Sequence, residues 1–162
     1  MNMQKGTINM DYFEHNKFGR TFALRLDKGE DVLDNVNDLI QKEDIKDGVV
    51  VSGIGTLDQC VLHFVTHIDD ASKMYYKEWK NVALEVASIQ GIIADGKPHI
   101  HAVVSDQTAA WGGHVERGCR TLYLCEILIV EMPDFNLTRV SKVSDENNTD
   151  HFIKNLVKKA KI

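Results

Sequence analysis

The sequence predicts an α+β fold built on a largely antiparallel β-sheet with one main helix. Three observations predict it. Apolar and polar residues alternate along several short runs, as half-buried strands require. One segment between two such runs has apolar residues at helical spacing instead. The connections are short and carry Gly and Asp, which suits hairpins rather than long crossovers.

Arg20–Leu26 alternates, with Phe22, Leu24 and Leu26 on one face, and reads as a strand. Lys28-Gly29 turns the chain. A helix follows over Asp31–Lys42, where Val32, Leu33, Val36, Leu39 and Ile40 form an apolar stripe. Glu30, Asp31 and Asp34 crowd its start, where carboxylates meet the positive end of the helix dipole. Val49–Ser52 and Leu57–Val65 read as strands separated by Ser-Gly-Ile-Gly-Thr. That glycine pair lacks a full phosphate-loop pattern and reads as a bulge or tight bend. His67–Lys80 is polar. Val82–Ala94 and Ile100–Val104 read as strands joined by an Asp95-Gly96 hairpin turn. Gly112-Gly113 bends the chain before His114. Arg120–Met132 is a long strand ended by Pro133, Leu137–Val143 one more, and Phe152–Lys159 a short helix.

The chain has 162 residues, enough for one domain around one core. No apolar run approaches the roughly 20 residues that cross a bilayer, and Met1–Asp11 has no apolar signal segment. A cytoplasmic protein with no membrane partner is expected. The net charge of −5 argues against a broad nucleic-acid surface, since such surfaces neutralise phosphates with Lys and Arg. Lys154, Lys158, Lys159 and Lys161 form the clear basic cluster, read as the solvated face of the terminal helix. Cys60, Cys119 and Cys125 form no metal or redox pair in sequence and fit a reducing compartment; Cys60 and Cys125 read as core residues.

The chemistry concentrates in Pro98-His99-Ile100-His101-Ala102. Alternate side chains of a strand share a face, so His99 and His101 project together while Ile100 and Ala102 point the other way. His114 follows two glycines that let the backbone bring it beside the pair. Three imidazoles with no fourth strong ligand describe an open metal site, its free position left for water or a substrate atom. Zinc is the first candidate, with nickel, iron or copper equally compatible with imidazole. Asp95, Asp106 and Glu116 are near enough in sequence to support the rings through hydrogen bonds. Glu85 and Glu126, inside apolar strands, are candidate acids or bases, more simply read as salt-bridged, with Arg117 and Arg120 as cationic partners. From these, Glu126, Arg117 and Asp106 are taken as the second shell of the metal; no catalytic residue is assigned. His63 and His67 share even spacing and offer a further ligand, although an exposed or packing role is the simpler reading; His15 and His151 read as surface residues.

Gly-Lys-Pro-His-Ile-His-Ala-Val-Val-Ser-Asp, Gly-Gly-His-Val-Glu-Arg-Gly and Cys-Glu-Ile-Leu-Ile together resemble the plants-and-prokaryotes-conserved (PPC) domain, as do Gly-Glu-Asp-Val-Leu and Val-Ser-Gly-Ile-Gly-Thr-Leu. The resemblance implies an antiparallel sheet with a flanking helix, assembled as a homotrimer. It divides the chain into an N-terminal extension (1–17), a PPC-like domain (18–143) and a C-terminal linker with a short helix (144–162). It also implies a DNA-binding or regulatory role, although the Arg-Gly-Arg-Pro core of the plant AT-hook is missing. The fold is similar as well to that of acetolactate decarboxylase, a metal enzyme whose three histidine ligands His99, His101 and His114 match in kind. The expected function is therefore a stand-alone PPC protein with a three-histidine divalent metal site. The alternative is a metal-dependent lyase or hydrolase acting on a small-molecule ligand.

Overall fold

The alternating run near the start becomes strand β1 (Thr21–Asp27), its Leu26 fully buried, in a computed structural model that describes residues 11–141 and 153–159. Helix α1 (Val32–Lys42) follows and buries Val32, Val36 and Ile40. Asp31 caps it: one carboxylate oxygen accepts from the Asp34 N–H at 3.0 Å and the other from the Gly118 N–H at 2.7 Å. One residue thus starts the helix and ties it to the loop before the last long strand.

The remaining strands are β2 (Gly48–Val65), β3 (Met74–Ala94), β4 (Lys97–Ser105), β5 (Ala110–Val115), β6 (Arg120–Glu131), β7 (Leu137–Ser141) and β8 (Lys154–Lys158). All their pairings are antiparallel. The large sheet runs β1-β6-β2-β3-β4-β5, and β5 also pairs with β2 through Leu62↔Val115 and His63↔His114. The strands β2, β3, β4 and β5 therefore close on one another. Leu62, Ile89, Ile100 and Val104 fill the core of which this closed part is one wall, each at most 1% exposed. Burial of each such side chain stabilises the fold by about 2 kcal/mol. The outward residues between them are free to carry chemistry.

Glycines make the closure possible. A Cβ on Gly113 would lie 2.9 Å from the His63 carbonyl oxygen and 3.2 Å from Leu62 Cβ, so only glycine lets β5 approach β2 here. A Cβ on Gly91 would collide with the His99 carbonyl. The Ser-Gly-Ile-Gly-Thr segment lies inside β2 and contains register shifts against β6, as expected of a bulge. Asp95 and Gly96 both have positive φ, 54° and 68°, the hairpin turn expected between β3 and β4.

Asp47 is a buried carboxylate, 4% exposed. It accepts from the backbone N–H groups of Asn136 (2.7 Å), Leu137 (3.2 Å) and Asp95 (3.3 Å). The start of β7 is thereby pinned to the β3–β4 hairpin. Cys60 and Cys119 are buried with sulfurs 3.7 Å apart, and all three cysteines are free thiols. No helix among the described residues is long and apolar enough to cross a membrane.

Four expectations need correction. The two short strands expected between 49 and 65 are one continuous strand. The polar stretch before Val82 is largely strand, because Met74–Lys80 pairs with Gln59–Val65. Gly112 and Gly113 do not bend the chain; they lie within β5. The C-terminal segment forms no helix over the described residues: Lys154–Lys158 pairs with Leu137–Ser141 as β8. Lys142–Phe152, with His151 and most of the expected linker, and Lys161 lie outside the described residues.

Candidate metal centre

The period-two argument for His99 and His101 holds. Both project from β4 to the outer face, while Ile100 and Ala102 between and after them are buried. Register does the rest. His101 stands directly opposite His114 across β4–β5, and His114 directly opposite His63 across β5–β2. A row of three histidines thus crosses three strands, with His99 one pleat away.

The ring nitrogens of His99, His101 and His114 lie within 4.8 Å of one another. His99 Nε2 and His101 Nε2 are 3.2 Å apart. Two nitrogens on one tetrahedral zinc, each at about 2.0–2.1 Å, stand about 3.3 Å apart. The same distance suits an N–H···N hydrogen bond, so the pair alone does not decide between them. The third ring does add weight: His114 lies with its centroid 5.0 Å from His99 and 5.4 Å from His101. Burial pushes all three imidazoles below the ordinary histidine range. At His99 the Arg139 charge adds to this, and at His114, pushed down to about 4, the neighbouring His63 does. All three are therefore neutral at pH 7, the form that donates a lone pair to a metal.

His63, which the sequence offered as a ligand but read more simply as a packing residue, joins the cluster. Its Nδ1–H donates to Glu116 Oε1 at 2.7 Å, and its ring stacks on His114 at 4.4 Å. His63, His114 and Glu116 form a second group of potential ligands that shares His114 with the first. The alternation Leu62-in, His63-out along β2 was a usable signal for its face. Its neighbour across the sheet was not readable, because the β2–β5 pairing joins segments about fifty residues apart. Glu116, one of the carboxylates considered for the supporting role, thus orients His63 rather than a triad ring.

The three residues assigned to the second shell go elsewhere. Asp106 caps its own turn, accepting from Thr108 and Ala109. Arg117 pairs with Asp34 on α1 at 3.0 Å. Glu126 is exposed on β6, opposite Arg25 and Ile54, and lines a different groove. None of them hydrogen-bonds a triad ring. Glu85 is likewise exposed, between Thr56 and Ser105. Arg120 is bidentate to Asp58 at 2.8 and 3.0 Å. Among the described residues His67 bonds its neighbour Thr66, whereas His15, expected at the surface, stacks on Phe135 at 4.5 Å.

A cavity of about 480 Å³ opens beside the triad, and its lining includes His63, His99 and His114 together with Lys97, Arg139 and Lys154.

A closed antiparallel sheet with one helix and a histidine row on its outer face defines the class of protein. The chain belongs to the Plants and Prokaryotes Conserved (PCC) domain family, written PPC above, whose model matches residues 13–133. Among solved structures it is similar to a protein from Ralstonia eutropha whose name proposes DNA binding, at 27% identity, 83% and 89% coverage of the two chains and a TM-score of 0.66. It is similar in fold to a metal-containing protein from Archaeoglobus fulgidus (24% identity, 76% and 86% coverage, TM-score 0.65). A PPC protein from Pyrococcus horikoshii shares the fold as well (22%, 90% and 96%, 0.66). The chain is also 26% identical over 121 residues to the bifunctional protein GlmU of a Synechococcus strain, spanning 74% of its own length but 18% of that protein.

Proposed function

We propose that the chain binds one divalent metal ion, zinc first among the candidates, through His99, His101 and His114, and presents it to a small molecule in the adjoining cavity. The observation that carries this is the convergence of three neutral imidazoles, two with nitrogens 3.2 Å apart; His99 and His114 of the three also line that cavity. The donor set fits: three imidazoles leave a coordination position open. When bound, such an ion polarises a ligand oxygen or lowers the pKa of a water. The chain's own contribution is to line the cavity with Met74 and Pro98 and to hold His63 stacked beside His114. Glu116 accepts from Nδ1 and so fixes the His63 tautomer, which leaves Nε2 as an acceptor. Of the two functions that the sequence left open, this arrangement favours the small-molecule one.

A DNA-associated role is the second reading, favoured by the name of the Ralstonia relative. The net charge of −5 limits it to a local contact. Residues 18–143 are the working unit in either case, and three copies assemble through outward apolar side chains such as Ile54, Leu124 and Leu128.

Elemental analysis of protein purified without an affinity tag tests the reading. About one metal per chain is expected, and His101→Ala lowers it sharply. Unchanged metal content in that variant contradicts the assignment. DNA titration at two salt concentrations tests the second reading, since phosphate contacts weaken steeply as salt rises; no binding at low salt removes it.

A further inference from the structure

We propose that Cys60 and Cys119 form an oxidation site, at which a small hydroperoxide converts the two thiols into a reversible disulfide that staples β2 to the turn before β6. Geometry carries the inference. The two sulfurs are 3.7 Å apart, and the residues are 0% and 2% exposed. Register sets the contact. Gln59 pairs with Arg120, so Cys60 and Cys119 are the next residues along the two antiparallel segments. Opposed residues of antiparallel strands have Cα atoms about 4.5–5.5 Å apart. A disulfide spans about 4.4–6.8 Å between Cα atoms. Gly118, just before Cys119, stands at φ 102° in a turn whose Arg117 is exposed. A glycine there has the freedom to absorb the shift that brings the sulfurs together. It also places Cys119 beside a solvent-facing turn, a short route for a molecule of peroxide's size. The third thiol, Cys125, is buried inside β6.

The two thiols are not equivalent. Cys119 Sγ accepts from the Val61 N–H at 3.4 Å and from the Cys60 thiol. The bond from Cys60 holds the Cys119 thiol below its ordinary range; the same bond, with burial, holds Cys60 above it. Cys119 is therefore the nucleophile and Cys60 the resolving thiol. The Cys119 thiolate attacks one peroxide oxygen: an S–O bond forms, the O–O bond breaks, and hydroxide leaves with the thiol's proton as water. The Cys60 sulfur then attacks the Cys119 sulfur: an S–S bond forms, the S–O bond breaks, and a second water leaves with the Cys60 proton. Two electrons pass from the thiols to the peroxide. Cys60 lies three residues before His63, and Cys119 three after Glu116. The Glu116 N–H also donates to the Val61 carbonyl at 3.1 Å. The disulfide thus clamps the same two segments that the His63–Glu116 bond joins.

Peptide mapping of the folded full chain tests the proposal. The protein is treated with hydrogen peroxide, its free thiols are blocked, and trypsin is added without reductant. Cleavage after Lys and Arg puts the three cysteines in separate peptides, Asp47–Lys73, Gly118–Arg120 and Thr121–Arg139. Mass spectrometry should find the first two joined and two hydrogens lighter than their sum, with Cys125 blocked as a free thiol. The melting temperature should rise by several degrees, because the closed loop restricts the unfolded chain. Dithiothreitol should reverse both changes. In Cys60→Ala, dimedone should label the sulfenic acid left on Cys119. A link that forms only in denaturant, a link through Cys125, or a melting temperature that oxidation leaves unchanged overturns the proposal.

Discussion

At Gly113 a single hydrogen stands where any other residue would press a methyl group against the backbone of β2. Gly113→Ala should push β5 outward and cost about 1–3 kcal/mol. It should also displace His114, the next residue. A thermal melt reads the first effect, and reduced metal content in the folded variant reads the second; a variant with wild-type melting and metal content contradicts this account of the closure. The histidines make a separate prediction. The folded chain holds His114 at about 4, below the ordinary 6.5, chiefly by burial and then by the nearby His63. The folded state therefore binds fewer protons than the unfolded state as pH falls between those values. Its contribution to stability is complete above about pH 6.5 and is lost as pH drops towards 4. Denaturant melts of metal-free wild type and His114→Gln should diverge at pH 7 and converge near pH 4. A difference that does not change with pH contradicts the assignment.

Among the elements, β7 matters more than its length suggests, because it delivers Arg139 and Thr138 to the cavity. Asp47 anchors it from below through three backbone N–H groups. Asp47→Ala leaves those donors buried without partners and should cost about 3 kcal/mol. Asp47→Asn, which keeps an acceptor oxygen, should cost less. Chemical denaturation distinguishes them, and equal losses contradict the role given to the carboxylate. How much was readable in sequence also differs by element. Strand β1 and helix α1 were legible because each buries one face and shows it as a period. The first half of β3 was not: of Met74–Lys80 only Trp79 is buried, so an exposed hairpin arm leaves no apolar period. Strand β5 was read as a bend because Ala-Trp-Gly-Gly-His-Val has poor strand propensity; its partners on both sides impose the conformation. Strand β8 was read as a helix because Lys-Asn-Leu-Val-Lys carries no period of its own, and pairing with β7 decides it. The site divides in the same way. His99 and His101 share one strand and were legible, and Gly-Gly marked His114. His63 depends on the register of two distant strands; Asp106 was placed by nearness in sequence, Glu126 by its apolar strand and Arg117 as a cationic partner, and the fold gives each other partners or another face.

For the whole molecule, closure of β2–β5 turns scattered residues into one surface. The closed sheet holds a row of histidines, and the pinned β7 faces it with cationic groups. Outside the site, Ile54 and Leu124 are 53% and 45% exposed on the neighbouring strands β2 and β6, a cost that assembly would remove. Light scattering should therefore give a trimer mass for wild type and a smaller species for Leu124→Glu with Ile54→Lys; a monomeric wild type contradicts the assembly. The central claim is that His99, His101 and His114 meet around one cation. Anomalous scattering from crystals of the tag-free protein, measured at the zinc edge, tests it most directly. One peak about 2.0–2.1 Å from a nitrogen of each ring is the predicted result. Density absent from the triad, or centred instead between His63 and Glu116, would contradict it.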